Sequence, residues 1–339
     1  MFKATDYEEI LKFKNPIFID LRSEGEFEDG TILGAISMPV LSNEERKIVG
    51  ALYASGDVTG AKEKGVEFFA PKLTDYYRRI SQMEENHEVV LFCSRGGFRS
   101  TALFNLLKTL GHNVYKLNYG YKSYRKYVLN FMDTFKDYKY VVLKGYTGCG
   151  KTEILKELRK RGENVLDLEG LARHRGSIFG GVGMGLQPSQ KTFESELMES
   201  FKSFKQGPVF VEGESPRIGS INLPAKLIKA MAQTDKVFLI EDTIERRTER
   251  IKSDYLSDYG LEKKEELISA FENLRRYISA KRYENYLKLL DEENFDLIIK
   301  DLIIKYYDAN YSINKEEIFY KVFNEDIKKS CDTILNIIK

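Results

Sequence analysis

The stretch Cys93-Ser94-Arg95-Gly96-Gly97-Phe98-Arg99-Ser100 brings one thiol, two guanidinium groups and a glycine pair together. Between a strand and a helix, such a loop can turn several backbone N–H groups toward one anion, and the helix start adds a favourable field. The same field favours a thiolate over a thiol, and so a sulfur nucleophile. Gly96 and Gly97 let the backbone curl without a side-chain clash. Arg95 and Arg99 supply charge-assisted donors. The pattern suits oxyanion binding beside a nucleophilic sulfur. Cys93, Arg95 and Arg99 form its catalytic set, and Gly96 and Gly97 its anion-binding backbone. The plainer alternative is a buried cysteine at a strand end, flanked by solvated arginines.

A second stretch, Gly145-Tyr146-Thr147-Gly148-Cys149-Gly150-Lys151-Thr152, is a full Walker A pattern. Its backbone is expected to cradle a diphosphate through Gly145, Gly148 and Gly150, with Lys151 on the outer phosphate. Lys151 therefore counts both as a binding and as a catalytic residue. Thr152 is the position for a phosphate-associated Mg²⁺, and the strand-end carboxylates Asp167, Glu169, Glu212, Glu241 and Asp242 could support one through water. Ordinary solvation accounts for each of these carboxylates equally well, and no dedicated metal site is expected. Cys149 is read as a small residue at a tight turn. Further on, Arg173-His174-Arg175 follows a predicted strand. Its arginines could neutralise phosphate, and His174 could donate a proton or stack on a base; a mobile basic surface loop is the plainer alternative.

The surrounding elements must present these loops. Ile17–Leu21 and Glu88–Phe92 read as short strands, the second ending at Cys93. Ser100–Leu110 reads as a helix with Leu103, Leu106, Leu107 and Leu110 on its apolar face, stopped by Gly111. Asn113–Leu117 suggests another strand. Residues 138–144 form the strand that delivers the second loop, followed by strands over 164–168, 208–211 and 237–240. From about residue 243 the pattern turns helical and charged. Strands alternating with helices predict an α/β fold with mainly parallel sheets.

Composition sets outer limits. The chain has 339 residues, room for two ordinary domains, with 42 % hydrophobic and 31 % charged residues. A net charge of +1 excludes a globally basic nucleic-acid binder, so any such partner needs a local basic surface. Two are candidates: the Tyr119–Tyr127 segment, where tyrosines alternate with cations, and the cluster Arg246, Arg247, Arg250 and Lys252; an amphipathic element packing one tyrosine face and a solvated helix are the equally open structural alternatives. Three cysteines form no metal motif and make an awkward disulfide set, which favours a reducing compartment. The opening residues lack a signal-peptide core, and no apolar run approaches a membrane span. A soluble, cytoplasmic protein with no membrane partner is expected.

The first part resembles the rhodanese superfamily, on the residues Asp20-Leu21-Arg22-Ser23, Glu26-Phe27, Gly30–Ile36, Pro39, the Cys93 loop and Asn118–Tyr121. In that superfamily the matching cysteine carries persulfide or a selenide equivalent. One departure stands out: Arg99 lies six positions after Cys93, where many small sulfurtransferases have five. The longer loop implies a wider anion cradle, and it also occurs in rhodanese-related cysteine phosphatases.

The three motifs together, with Gln187–Leu197 and Glu212–Pro224, resemble the tRNA 2-selenouridine synthase family across nearly the whole chain. The resemblance implies a rhodanese-like parallel-sheet domain over 1–130, a linker over 131–137, a P-loop α/β domain over 138–245 and a helical C-terminal region over 246–339. It implies a tRNA with a wobble 2-thiouridine as partner and substrate. Geranyl diphosphate is the implied prenyl donor and selenophosphate the implied selenium donor, with no tightly bound organic cofactor. A selenophosphate-producing enzyme becomes a further possible partner. Two other readings stay open on the residues alone: a cysteine phosphatase fused to a nucleotide-binding regulator, and a tRNA-binding adaptor that keeps two anion sites.

Overall fold

A computed structural model describes residues 3–213, 215–256, 261–310 and 317–338. Met1, Phe2 and Glu214, which belong to segments read above, lie outside the described residues. The chain divides into two compact units. The first comprises Met1–Phe131 and Ser189–Met198, and the second Met132–Pro188 and Glu199–Lys339.

The first unit is built on four parallel strands: β1 (Pro16–Asp20), β2 (Ile36–Ser37), β3 (Glu88–Phe92) and β4 (Tyr115–Lys116), in the order β2-β1-β3-β4. β1 and β3 run in register from Pro16 opposite Glu88 to Asp20 opposite Phe92. Val89, Val90, Leu91 and Phe92 are all fully buried, as expected of a strand covered on both faces. The chain leaves β1 toward one side of the sheet and returns on the other. That reversal opens a crevice at the carboxyl ends of the central strands, where α/β sheets bind ligands. Cys93 follows β3 directly at that edge. The helix Phe98–Thr109 starts just beyond it and buries Leu103, Phe104 and Leu107 against the sheet.

The second unit holds five parallel strands: β5 (Tyr140–Gly145), β6 (Asn164–Leu166), β7 (Val209–Glu212), β10 (Val237–Glu241) and β11 (Tyr320–Phe323), ordered β11-β10-β5-β7-β6. A small antiparallel pair, β8 (Arg217–Ile218) and β9 (Ile221–Asn222), stands apart. Again the central strand, β5, carries the loop of interest at its carboxyl end. Val141, Leu143, Phe210, Phe238 and Ile240 fill the core around it with the helix Lys151–Lys160 and the helix Ile327–Ile338. A second apolar cluster joins Phe179 to Phe271, Leu274, Tyr286, Ile298 and Leu302 of the helical C-terminal region.

The parallel sheets and the helical C-terminal region agree with the fold class expected from sequence. Two details differ from the sequence reading. Residues 132–137 form a tight 3-10 turn that buries Met132 and Phe135, so this stretch packs into the second unit. The helical region also contributes β11, whose alternation is weak: only Val322 is buried. No helix among the described residues is long and apolar enough to cross a membrane.

Candidate functional site

The cysteine loop is organised by where its carbonyls go. The carbonyl of Cys93 accepts from Tyr121 N at 2.8 Å and that of Ser94 from Lys122 N at 3.1 Å. Gly96 O accepts from Lys116 Nζ at 3.2 Å, and Gly97 O from Thr101 N at 3.0 Å. With these acceptors engaged, the N–H groups of Ser94, Arg95, Gly96 and Gly97 donate to no protein acceptor among the described residues. That is the arrangement an anion requires. Gly96 adopts φ +69°, a left-handed conformation that supports the curl. Gly120 matters more: a Cβ there would sit 2.1 Å from the Cys93 carbonyl oxygen. The glycine-aromatic segment is therefore the back wall of the loop.

Cys93 Sγ is almost fully buried, yet it lines a cavity of about 590 Å³ with Ser94, Arg95, Gly97 and Arg99. Its partner is Ser100 Oγ at 3.2 Å, a hydroxyl on the first turn of the helix Phe98–Thr109. The sequence reading gave Ser100 no role; its signal was its place at the end of the motif, one helical turn into the element behind the thiol. Arg95 is exposed on the loop. Arg99 is not: its guanidinium forms a bidentate pair with Glu26 at 2.6 and 3.2 Å. Burial alone would raise the Glu26 carboxyl, but the hydrogen bond and charge of Arg99 outweigh it and hold it down at about 2. The same pair raises the Arg99 guanidinium against its own burial. Asp20 and Arg22 are likewise paired, at 2.6 Å and buried, with Arg22 also donating to Gly30 O and lying over the Tyr121 ring. These resemblance-bearing residues brace the loop.

The glycine loop repeats the logic. Gly145, Gly148 and Gly150 all take positive φ, between +78° and +157°. Thr147 O accepts from Arg247 Nε at 2.9 Å, Gly148 O from Arg250 Nη1 at 3.1 Å, and Cys149 O from Asn324 Nδ2 at 2.9 Å. Lys151 Nζ bonds back to Gly145 O at 2.8 Å, so its charge lies curled over the loop. Thr152 Oγ1 is 3.4 Å from a Glu169 carboxylate oxygen, and Glu169 N donates to Glu212 at the end of β7. Burial pushes the Cys149 thiol up, against a nucleophilic role. Its sulfur is core, with Gly145 and Ile240 close by.

A cavity of about 310 Å³ spans this loop, reaching Glu169, Arg175, Gly176 and Ser177 and the far wall of Arg250, Tyr255 and Tyr307. Of the basic triplet, only Arg175 reaches it. Its guanidinium donates to Val182 O and stacks over Tyr255 at 5.0 Å. Arg173 is exposed in a left-handed helix cap outside this cavity. His174 also stands outside; its Nδ1 accepts from Gly176 N, and burial, then the Arg175 charge, lower its pKa.

The two basic footprints change character. Arg247 is buried and bidentate to Asp308, Arg246 and Arg250 pair with Asp242, and Lys252 pairs with Asp296. Arg247 and Arg250, through the Thr147 and Gly148 carbonyls, serve the glycine loop from behind. In the tyrosine segment, Tyr121 and Tyr124 are buried and Arg125 pairs with Glu194, leaving Tyr119, Lys122 and Lys126 exposed. Among the described residues no group of three or more His, Cys, Asp or Glu side chains is placed to hold a metal ion.

Fold and site together define a two-part protein: a parallel-sheet unit with a cysteine loop of the rhodanese type, and an α/β unit with a glycine loop and a helical C-terminal region. Comparison with known proteins narrows the class. The family described as "Rhodanese-like domain" matches residues 3–127, and "tRNA 2-selenouridine synthase AAA domain" matches residues 138–337. A tRNA 2-selenouridine synthase of Pseudomonas fluorescens is 32 % identical over 93 % of this chain and 92 % of its own length. One from Pseudomonas syringae pv. syringae is 32 % identical over 92 % of both. One from Nitrosomonas eutropha is 34 % identical over 70 % of this chain and 62 % of its own length. The chain belongs to the tRNA 2-selenouridine synthase family, and it is a tRNA-modifying transferase.

Proposed function

We propose that the two loops divide the family's reaction between them. The chain geranylates the sulfur of a wobble 2-thiouridine with geranyl diphosphate, then replaces that sulfur by selenium from selenophosphate. The first transfer is assigned to the glycine loop acting as a phosphate-binding P-loop. There the N–H groups of the Gly145–Thr152 backbone and Lys151 stabilise the departing diphosphate, while the tRNA sulfur attacks the geranyl carbon. Arg175 adds a cation on the same cavity. Thr152 and Glu169 fit a divalent ion that arrives with the diphosphate and keeps most of its own water.

One observation carries this assignment. The loop cavity adjoins a small apolar one of about 50 Å³, sharing Ile251, Tyr255 and Tyr307 with it and pointing between Phe179, Phe271 and Ile298, which a geranyl chain would have to part to enter. A nucleotide would need polar partners for its base there, whereas a hydrocarbon chain needs none.

The second transfer is assigned to the cysteine loop. Selenophosphate would lie on the N–H groups of Ser94–Gly97 with Arg95 as counter-charge, beside Cys93. Arg99 acts by holding the loop through Glu26. The exposed cations Lys122 and Lys126 are what the tyrosine segment offers to tRNA phosphates.

Mass spectrometry of a 2-thiouridine tRNA tests the whole reading. Geranyl diphosphate alone should add one geranyl group. Both donors together should yield selenouridine, and selenophosphate alone should give none. Selenouridine formed without geranyl diphosphate would reject the order of steps, and no modification at all would reject the function.

A further inference from the structure

The cavity at Cys93 is not shaped for selenophosphate alone. It runs away from the loop as a groove between the helix Asn43–Ala54 and the helix Val58–Phe69. Val49, Gly50 and Tyr53 line it from one helix, at a spacing that keeps them on one face; Gly65, Val66 and Phe69 line it from the other. Its cations, Arg46, Lys62, Arg95 and Arg99, stand among these apolar walls. Val66 and Phe98 are each 68 % exposed, a high value for apolar side chains beside a reactive thiol.

Gly50 and Gly65 make the argument specific. Each lies inside a helix, where glycine costs about 1 kcal/mol relative to alanine. Neither is held there by packing, since a Cβ at either would meet nothing within 4 Å, and neither has a positive φ. The helices accept two unfavourable residues that leave the groove open. At about 590 Å³ the groove is ample for a ten-carbon chain.

We propose that this groove receives the geranyl chain of S-geranylated tRNA during selenium exchange, so that the modified base is drawn to Cys93 by the group it is about to lose. The inference rests on the two-transfer reading above. In the exchange, the C2–Se bond forms and the C2–S bond breaks. Sulfur leaves with the electron pair as geranylthiolate and takes a proton from solvent, and the phosphoryl group of selenophosphate passes to water as phosphate. A hydrocarbon trough beside the thiol lets the leaving group depart without entering water at the moment of cleavage, and it selects geranylated over unmodified sulfur.

Gly65→Leu tests it, because leucine favours the helix and fills the groove. Selenation by selenophosphate is followed on two substrates, S-geranyl and S-methyl 2-thiouridine tRNA. The ratio of their kcat/KM values should fall about tenfold or more in the variant. A ratio equal to that of the parent protein overturns the proposal, even if both rates drop. A second measurement uses the absence of tryptophan from the chain. Tyr53→Trp places a single reporter in the groove, and geranyl methyl sulfide should shift its emission, with the shift abolished by Gly65→Leu. No shift overturns the groove assignment. If the parent protein fails to selenate S-geranyl tRNA at all, the two-transfer reading fails, and the reporter still decides whether the groove binds the chain.

Discussion

At the scale of single residues, the cysteine loop depends on a carboxylate the motif does not contain. Glu26 locks Arg99, and its folded pKa of about 2 lies below the ordinary carboxylate value of 4.5. A depressed pKa means the pair stabilises the fold fully above the unfolded value. That contribution disappears as pH falls from about 4.5 to about 2. Glu26→Gln should therefore cost on the order of 1–3 kcal/mol at neutral pH, with the difference from the parent protein shrinking steadily through that acid window. Urea melts at a series of pH values measure it. A difference that stays constant down to pH of about 2.5 would show that the pair is energetically idle. The variant should also slow selenation more than geranylation, since Arg99 restrains only the cysteine loop. Arg99 itself illustrates how far a motif can be read. Its type and spacing announced an anion donor, but its long side chain met Glu26, seventy-three residues away in sequence, and became a brace. No local pattern carries that pairing.

Elements explain what was legible and what was not. β3, β5 and β10 announced themselves as short apolar runs, and the glycine patterns at the ends of β3 and β5 placed both loops correctly between strand and helix. The helices Asn43–Ala54 and Val58–Phe69 gave a weaker signal, because glycines interrupt their apolar faces. β11 gave almost none, being an edge strand with three of its four side chains exposed. Yet β11 brings in Asn324, fully buried, whose side chain donates to Cys149 O and accepts from Ser330 Oγ at 2.8 Å. A strand 175 residues downstream thus sets the curvature of the glycine loop. Asn324→Ala should leave that carbonyl and the Ser330 hydroxyl without their partner, at a cost of about 1–3 kcal/mol. Geranyl transfer should fall with it, through a raised KM for geranyl diphosphate, while selenation of pre-geranylated tRNA is spared. Loss of both activities in equal proportion would instead mean that β11 holds up the whole chain. The arginines of the helix Ile244–Leu256 make the same point in reverse: clustered cations read as a nucleic-acid surface until their acidic partners, Asp242, Asp296 and Asp308, are placed opposite them.

Across the whole molecule, the cysteine loop and the glycine loop sit in two compact units with separate cores, and each loop is braced from within its own unit. Glu26, Ser100 and Gly120 serve Cys93; Arg247, Arg250 and Asn324 serve Lys151. Damage to one loop should consequently leave the other intact. Lys151→Ala should abolish geranylation but still selenate tRNA that already carries the geranyl group. Cys93→Ala should geranylate normally and stop there. Neither variant alone makes selenouridine from thiouridine tRNA. Because the intermediate is a covalently modified tRNA that survives release, an equimolar mixture of the two variants with both donors should recover it, at a rate that rises with protein concentration as the tRNA passes between molecules. A mixture that stays inactive, with geranylated tRNA accumulating in solution, would mean that the intermediate is never accepted from outside. That outcome would count against the groove beside Cys93 as a receiver of the free intermediate and against the two-transfer reading on which it rests. Recovery, with selenation limited by capture of the geranylated tRNA, makes that groove the entry point for the second transfer.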